Sequence, residues 1–340
     1  MNLNLAEVRR IVKRALAEDI GTGDITTLLT VPADSVSRAE IIAKEDGVIA
    51  GLQVATVVLG MVGGIYAAEG GSVPRGMQSW SQSLKTDARD ALKNAVKFAP
   101  KLRDGVTQIT AGGPKPQVFA VGESKEVYLS LVKSDGDRVL PGDVVAMIVG
   151  PTRVILTAER TLLNFMQRMS GIATKTARLV ELVKHTNAQV VDTRKTAPGL
   201  RILDKYAVRA GGGHNHRFGL YDAILIKDNH IRAAGGIKQA IEAAKTGAPH
   251  TIKIEVEAEN LAQVKQALSA GAEMILLDNM KPSDLRRAVG LCKGRALTEA
   301  SGNVNEGNIA EIAETGVDLI SVGALTHSVK ALDLSLEITE

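Results

Sequence analysis

Leu5, Val8, Ile11, Val12 and Leu16 recur at three- and four-residue steps, which predicts a helix over 5–18 with one apolar face. GTGDITT (21–27) breaks that period and reads as a loop. Over 36–52, VSRAEIIAKEDGVIAGL changes to short alternating runs meeting at Asp46-Gly47, which reads as two strands and a tight turn. Residues 127–149 repeat that texture, with an Asp-Gly turn and a Pro-Gly turn between strands. Together, 1–62 and 126–150 make a small α/β domain.

From Thr157 the pattern becomes a strand–helix alternation. A long helix is expected over 158–185, then strands at 188–192, 223–228, 251–257, 274–279, 296–301 and 319–323, with helices such as 259–270 and 305–315 between them. The last four strands start 22 or 23 residues apart, the length of one βα unit. Regular alternation implies a parallel sheet. The short, even repeat favours a (β/α) barrel of fewer than eight full units over an open doubly wound sheet, and 151–340 is assigned to it.

Residues 63–125 fit neither pattern. Five glycines loosen the first part, a helix is plausible over 83–99, and GGPKP breaks the chain again. The segment holds Trp80, the chain's one tryptophan, and carries nine Lys/Arg against five Asp/Glu. It reads as an inserted surface subdomain, with a lid or a partner-binding element as the sharper alternative.

Composition narrows the function classes. A net charge of +3 over 340 residues leaves any anion site to local clustering of cations. Aromatics are 3% and nowhere interleave with basic residues, which argues against nucleic acid. A single cysteine, Cys292, forbids an intrachain disulfide and reads as a small buried helix residue. The first residues lack the apolar core of a secretory signal and no run is long enough for a membrane helix, so a cytoplasmic protein is expected.

The chemistry collects at the C-terminal ends of the expected strands, where barrel active sites form. The strand ends carry Asp192-Thr193-Arg194-Lys195, Lys227-Asp228-Asn229-His230, Glu255 with Glu257, Asp278-Asn279, Glu299 with Ser301, and Gly323. A lone strand-end aspartate is usually a helix cap; six charged or small strand ends in a row need another reason. Cations come first, in Arg194, Lys195 and Lys227, with His214, His216 and Arg217 in the GGGHNHR loop between them. Such a cluster suits a compact polyanion, since arginine fits a carboxylate with two prongs. Glu257 and Asp278 follow, suited to a hydrated divalent cation or sugar hydroxyls. Ser301-Gly302 and Gly323-Ala324 are each expected to open a helix whose amides cradle a phosphate. Zinc at His214 and His216 is disfavoured, with no nearby cysteine and no HExxH.

AERTLLNFMQRMSGIAT (158–174), DTRKTAPGLR (192–201), GGGHNHRFGLYDAILIKDNH (211–230), IEVE (254–257), LLDN (276–279), EASGN (299–303) and VGALTHS (322–328) resemble the carboxylating nicotinate-nucleotide pyrophosphorylases, or quinolinate phosphoribosyltransferases. GTGDITT and AKEDGVIAGL fit the N-terminal part of that family. The resemblance implies an N-terminal α/β sandwich followed by an open, incomplete (β/α) barrel. It implies transfer of phosphoribose from phosphoribosyl pyrophosphate to quinolinate, with loss of carbon dioxide and pyrophosphate, on the route to NAD. It implies that Arg160, Arg194, His216, Arg217 and Lys227 hold the two carboxylates, and that Lys195 sits between the substrates. Glu257 and Asp278 would meet the ribose and a magnesium ion, and Ser301, Gly302 and Gly323 the 5′-phosphate. It also implies a homodimer or larger assembly in which Arg160 serves a neighbouring subunit. Residues 63–125 are a departure from the family pattern. A phosphoribosyltransferase for another heterocyclic acid, or a non-catalytic protein on the same fold, remain as alternatives.

Overall fold

The protein is described as a computed structural model over residues 3–68, 117–121 and 127–339. The helix expected over 83–99, and Trp80, lie outside those residues. The chain divides into two compact units, Met1–Gly171 with Lys330–Glu340, and Ile172–Val329.

In the first unit the expected helix forms over Leu5–Ile20, with Asn4 capping it and Val8, Ile11, Val12 and Leu16 buried. GTGDITT is not wholly a loop. Asp24 accepts the Thr27 amide at 3.0 Å and so starts a helix over Ile25–Thr30. Strands β1 (Val36–Ala43) and β2 (Gly47–Val48) flank the Asp46-Gly47 turn, and a helix follows over Leu52–Ala68. Next come β3 (Gln117–Val121), β4 (Val127–Leu131), β5 (Arg138–Val139) and β6 (Val144–Pro151). A last strand, β13 (Leu334–Ile338), completes an antiparallel sheet ordered β13-β1-β6-β4-β3; β2 and β5 form a separate pair. β1 buries alternate residues, as a strand with one covered face should, whereas β6 is buried along its length. β3 lies within 63–125, so that stretch supplies an edge strand.

The long helix runs over Thr152–Val183, six residues earlier at its start than the sequence pattern indicates. Thr152 is tied at once to the sheet unit, its hydroxyl 2.7 Å from that of Ser35 and 2.8 Å from that of Ser37. Arg153 anchors the first turn through Nε and Nη2 to the Val31 carbonyl, at 2.9 and 2.7 Å. Residues to Gly171 belong to the first unit and those from Ile172 to the second.

The second unit is built on β7 (Gln189–Val191), β8 (Ile224–Ile226), β9 (Ile254–Ala258), β10 (Met274–Asp278), β11 (Leu297–Ser301) and β12 (Leu319–Ser321). All recorded pairings are parallel, in the order β7-β12-β11-β10-β9-β8. First strand beside last is barrel order, and the ladder is left open between β7 and β8. Helices Arg201–Ala210, Asp228–Ala234, Ile237–Gly247, Leu261–Ala270, Pro282–Cys292, Ile309–Ala313 and Ala324–His327 fill the connections. Cys292 is buried in its helix, and burial pushes its thiol up to about 11. Among the described residues no helix is long and apolar enough to cross a membrane.

Candidate active site

Because the six strands are parallel, their C-terminal ends share one edge, and the ladder sets which side chains point together. Leu276 pairs with both Glu257 and Glu299, and Glu255 lies two residues before Glu257. Cross-strand partners share a face and residues two apart repeat it, so Glu255, Glu257 and Glu299 point the same way. Asp278 pairs with Ser301 at the end of the same ladder.

The open side between β7 and β8 is filled by the GGGHNHR loop, and each residue has a fixed place. Gly211 lies so close to the long helix Thr152–Val183 that a Cβ would stand 2.4 Å from the Ala173 carbonyl. His214 adds a parallel bridge to the free edge of β7, its amide bonded to Val190 at 2.9 Å and its carbonyl to the Asp192 amide at 3.1 Å. Behind this bridge, Asp192 and Lys205 form an ion pair with both side chains essentially fully buried. Asp192 also accepts from Asn215 at 2.5 Å and from the His216 amide at 3.0 Å, and Lys205 donates to the His216 carbonyl at 3.0 Å. Burial raises the Asp192 carboxyl and lowers the Lys205 ammonium, each opposed by its partner's charge. Arg201 ties the two cation-bearing loops together, donating to the Phe218 carbonyl at 3.0 Å and to the Arg194 carbonyl at 3.3 Å.

Arg194 and Arg217 come together on these supports. The buried Nε of Arg194 has no hydrogen-bond partner. Arg217 is lowered from the ordinary arginine value by burial and then by the charge of Arg194. Like charge felt at Arg217 and an unpartnered buried N–H on Arg194 are features that an anion would relieve. His216 stands beside them. Its Nδ1 accepts the Arg217 amide at 2.6 Å, and its Nε2 lies 3.2 Å from Glu255 and 3.5 Å from Glu299. Burial lowers the imidazole, but the two carboxylates outweigh it and the net direction is upward. Glu299 is pushed to about 7 by burial and by the charge of Glu255. His216, Glu255 and Glu299 are also a group whose ligand atoms lie within 4.8 Å of one another and could hold a metal ion. His214 is not part of it.

Lys227 Nζ lies 3.7 Å from Glu257, whose facing oxygen has no hydrogen-bond partner. Burial raises the Glu257 carboxyl, Lys227 opposes the shift, and the charge of Asp278 adds to it. Asp278 is held by Asn279 Nδ2 at 2.9 Å, and Asn303 donates to Asn279 Oδ1 at 3.0 Å. Gly302 has φ +97°, and a Cβ there would stand 2.2 Å from the Asn279 side chain. Its expected helix is corrected: a left-handed turn through Gly302 and Asn303 follows Ser301, and the next helix begins at Ile309. Gly323 does open a helix, of four residues, and a Cβ on it would stand 3.0 Å from the Lys195 side chain. Lys195 is exposed and its carbonyl accepts the Thr326 hydroxyl at 2.8 Å. Arg160 is exposed in the first unit.

The sequence reading assigned no role to Glu255, Glu299, Asp192, Lys205 or Asn215. The alternation of IEVEA carried a signal for the first, since it puts Glu255 on the same face as Glu257. Lys205, in RILDKYAVRA, looks like any solvated helix lysine.

Two family models cover the two parts of the chain. The quinolinate phosphoribosyl transferase C-terminal domain matches residues 172–337, and the corresponding N-terminal domain matches residues 107–170. The probable nicotinate-nucleotide pyrophosphorylase [carboxylating] of Bacillus subtilis (strain 168) is 36% identical over 337 residues, covering 99% of this chain and 95% of the relative. The Mycobacterium leprae nicotinate-nucleotide pyrophosphorylase [carboxylating] is 38% identical over 334 residues, covering 97% and 96%. Among solved structures, the nicotinate-nucleotide pyrophosphorylase from Francisella tularensis superposes with a TM-score of 0.76 at 35% identity, covering 99% of this chain and 98% of that one.

Two outcomes follow from the buried groups. Lys205→Met strands the Asp192 charge and should cost ~3–5 kcal/mol in denaturant unfolding, with part regained by adding Asp192→Asn; a loss unchanged by the second substitution would contradict this. For Glu299, a folded value of about 7 lies above the ordinary 4.5, so ionisation disfavours the fold. That penalty is absent below the unfolded value, grows as pH rises through the folded one, and is full above it, at roughly 3 kcal/mol at most. Glu299→Gln removes it, so its gain in thermal midpoint should be larger at pH 8 than at pH 5, where a pH-independent gain would refute the assignment.

Proposed function

The chain belongs to the quinolinate phosphoribosyltransferase family, and we propose that it joins quinolinate to phosphoribosyl pyrophosphate, giving nicotinate mononucleotide, carbon dioxide and pyrophosphate. The observation that carries this reading is the Arg194–Arg217 pair, in which Arg217 feels the charge of Arg194 and Arg194 keeps a buried N–H without a partner. Adjacent carboxylates on a small planar ring match such a pair. Arg194, His216, Arg217 and Lys227 form the dicarboxylate site, with Arg160 completing it from a second copy of the chain. Lys195, beside Gly323, stands between the acid and the phosphorylated sugar. Ser301, Gly302 and Gly323 receive the 5′-phosphate; the missing Cβ at Gly302 and Gly323 keeps the backbone open to it.

Glu257 and Asp278 fit a divalent cation. The charge of Asp278 raises the Glu257 carboxyl, and the Glu257 oxygen facing Lys227 is buried without a hydrogen bond, which a bound cation relieves. Magnesium, when bound there, supplies charge neutralisation for the pyrophosphate leaving group. The same two carboxylates face the ribose and stabilise the positive charge that develops as its C1–oxygen bond breaks. The pyridine nitrogen forms the new bond to C1, and pyrophosphate departs with the electron pair of the old one. The ring nitrogen is then cationic. The bond from C2 to its carboxylate breaks, carbon dioxide leaves, the electron pair stays on C2, and a proton from solvent or a nearby acid replaces the carboxylate. The protein's main work is to hold charge and to align two reactants. A cytoplasmic setting suits this chemistry and the lone buried thiol.

The purified protein with magnesium should release nicotinate mononucleotide and carbon dioxide from quinolinate and phosphoribosyl pyrophosphate, and should do so poorly in excess chelator. Nicotinate, with one carboxylate, should be a weak substrate, and equal turnover of the two acids would overturn the dicarboxylate assignment. Subunit sharing is checked by complementation. Arg160→Ala and Lys227→Ala proteins, each inactive, are mixed until exchange is verified by mass. If Arg160 acts in trans, half of the sites in mixed dimers are intact and activity returns in part; no recovery rejects the shared site and leaves Arg160 either a ligand within its own chain or a structural residue.

A further inference from the structure

We propose that Glu299, together with Glu255, is a positioning residue that acts through His216 to orient Arg217 in the dicarboxylate site. The proposal rests on the assignment of that site to quinolinate, and it concerns a residue that touches neither substrate.

Glu299 is 1% exposed and neither of its oxygens has a hydrogen-bond partner. Its neighbour Glu255 is 3% exposed and has one oxygen in the same condition. The nearby Ser321 hydroxyl donates to the Ala300 carbonyl at 3.4 Å and lowers the Glu299 carboxyl only in part against burial. Two carboxyl groups side by side and out of water weaken a fold unless something offsets them. An amide or an apolar side chain would be easier to bury at either position. Their presence therefore calls for a task other than holding the sheet together.

The geometry points to what that task is. With Nδ1 accepting the Arg217 amide at 2.6 Å, the ring proton of His216 sits on Nε2. Nε2 in turn faces Glu255 at 3.2 Å and Glu299 at 3.5 Å. The ring is thus held from both edges, by the hydrogen bond to Glu255 and the charge of Glu299 on one side and by a backbone amide on the other. That amide belongs to Arg217, whose Nη1 is anchored on the Ala223 carbonyl at 3.2 Å. If the acids release the ring, the Arg217 amide loses its acceptor and the guanidinium loses its aim beside Arg194. The effect passes along a short chain of contacts from Glu299 and Glu255 to His216 to Arg217. Lys227, which also feels Glu299, and Lys205, which also feels His216, are the other charges around the cluster.

The test uses the full-length enzyme with magnesium and both substrates. Glu299→Ala should raise the KM for quinolinate by about tenfold or more, as misplacing a binding group does, while leaving the KM for phosphoribosyl pyrophosphate near the parent's. Glu299→Gln, which keeps the shape and one acceptor, should recover much of the loss and unfold no lower than the parent. In a His216→Asn background, Glu299→Ala should add little, because the link to Arg217 is already cut. A lower unfolding temperature for Glu299→Gln with equal weakening of both substrates would make Glu299 a structural residue and end the proposal. Full additivity with His216→Asn would end it too. Quinolinate turnover by the parent, measured in the same series, tests the underlying assignment separately: a parent that ignores quinolinate fails that reading, whereas an active parent with an indifferent Glu299→Ala fails only this one.

Discussion

The candidate site depends on one ion pair that never meets water. Asp192 leaves the end of β7 and Lys205 comes from the helix that follows; they meet behind the loop that closes the open side of the sheet. Removing both charges from solvent is costly, and the cost is tolerable only because the carboxylate also receives Asn215 and the His216 amide, while the ammonium reaches the His216 carbonyl. Those same bonds fix the backbone on either side of His216. Arg194 follows Asp192 by two residues, and Arg217 follows His216 by one. The pair therefore fixes the backbone from which both arginines extend.

Around this frame charges of one sign stand near one another. Burial and the charge of Arg194 lower Arg217, and burial with the charge of Asp278 raises Glu257. A dianion beside the first pair and a cation beside the second would relieve both. This is the behaviour of a preorganised site, where the fold carries unfavourable like-charge contacts so that binding can remove them.

Much of this was legible in the sequence. The even spacing of the late strands gave the parallel sheet, and the polar residues after each strand marked the edge where Lys227, Glu257, Asp278 and Ser301 gather. What could not be read was burial of charge. Lys205 and Asp192 are far apart in hydropathy from their surroundings, and only the loop folding over β7 makes them partners. Glu255 and Glu299 were visible as strand acids, but which of the strand-end acids meet His216 depends on the ladder register. The six-residue helix after Asp24 was missed because its length is too short to show a period, and the helix expected after Ser301 is displaced by a left-handed turn that asparagine and glycine tolerate.

The sheet order has a consequence for biosynthesis. β1, near residue 40, pairs on one edge with β13, near residue 336, and β7, near residue 190, pairs with β12, near residue 320. Neither sheet can be completed until its distant partner strand, β13 for the first and β12 for the second, has been made. Until then β1 waits with an unpaired edge, and non-local pairing of this kind is slow. A nascent chain stalled before β13 would present that edge to any other strand it meets, which makes elongation arrest between β1 and β13 a hazard for aggregation and places this protein among those expected to lean on chaperones that shield strand edges during synthesis.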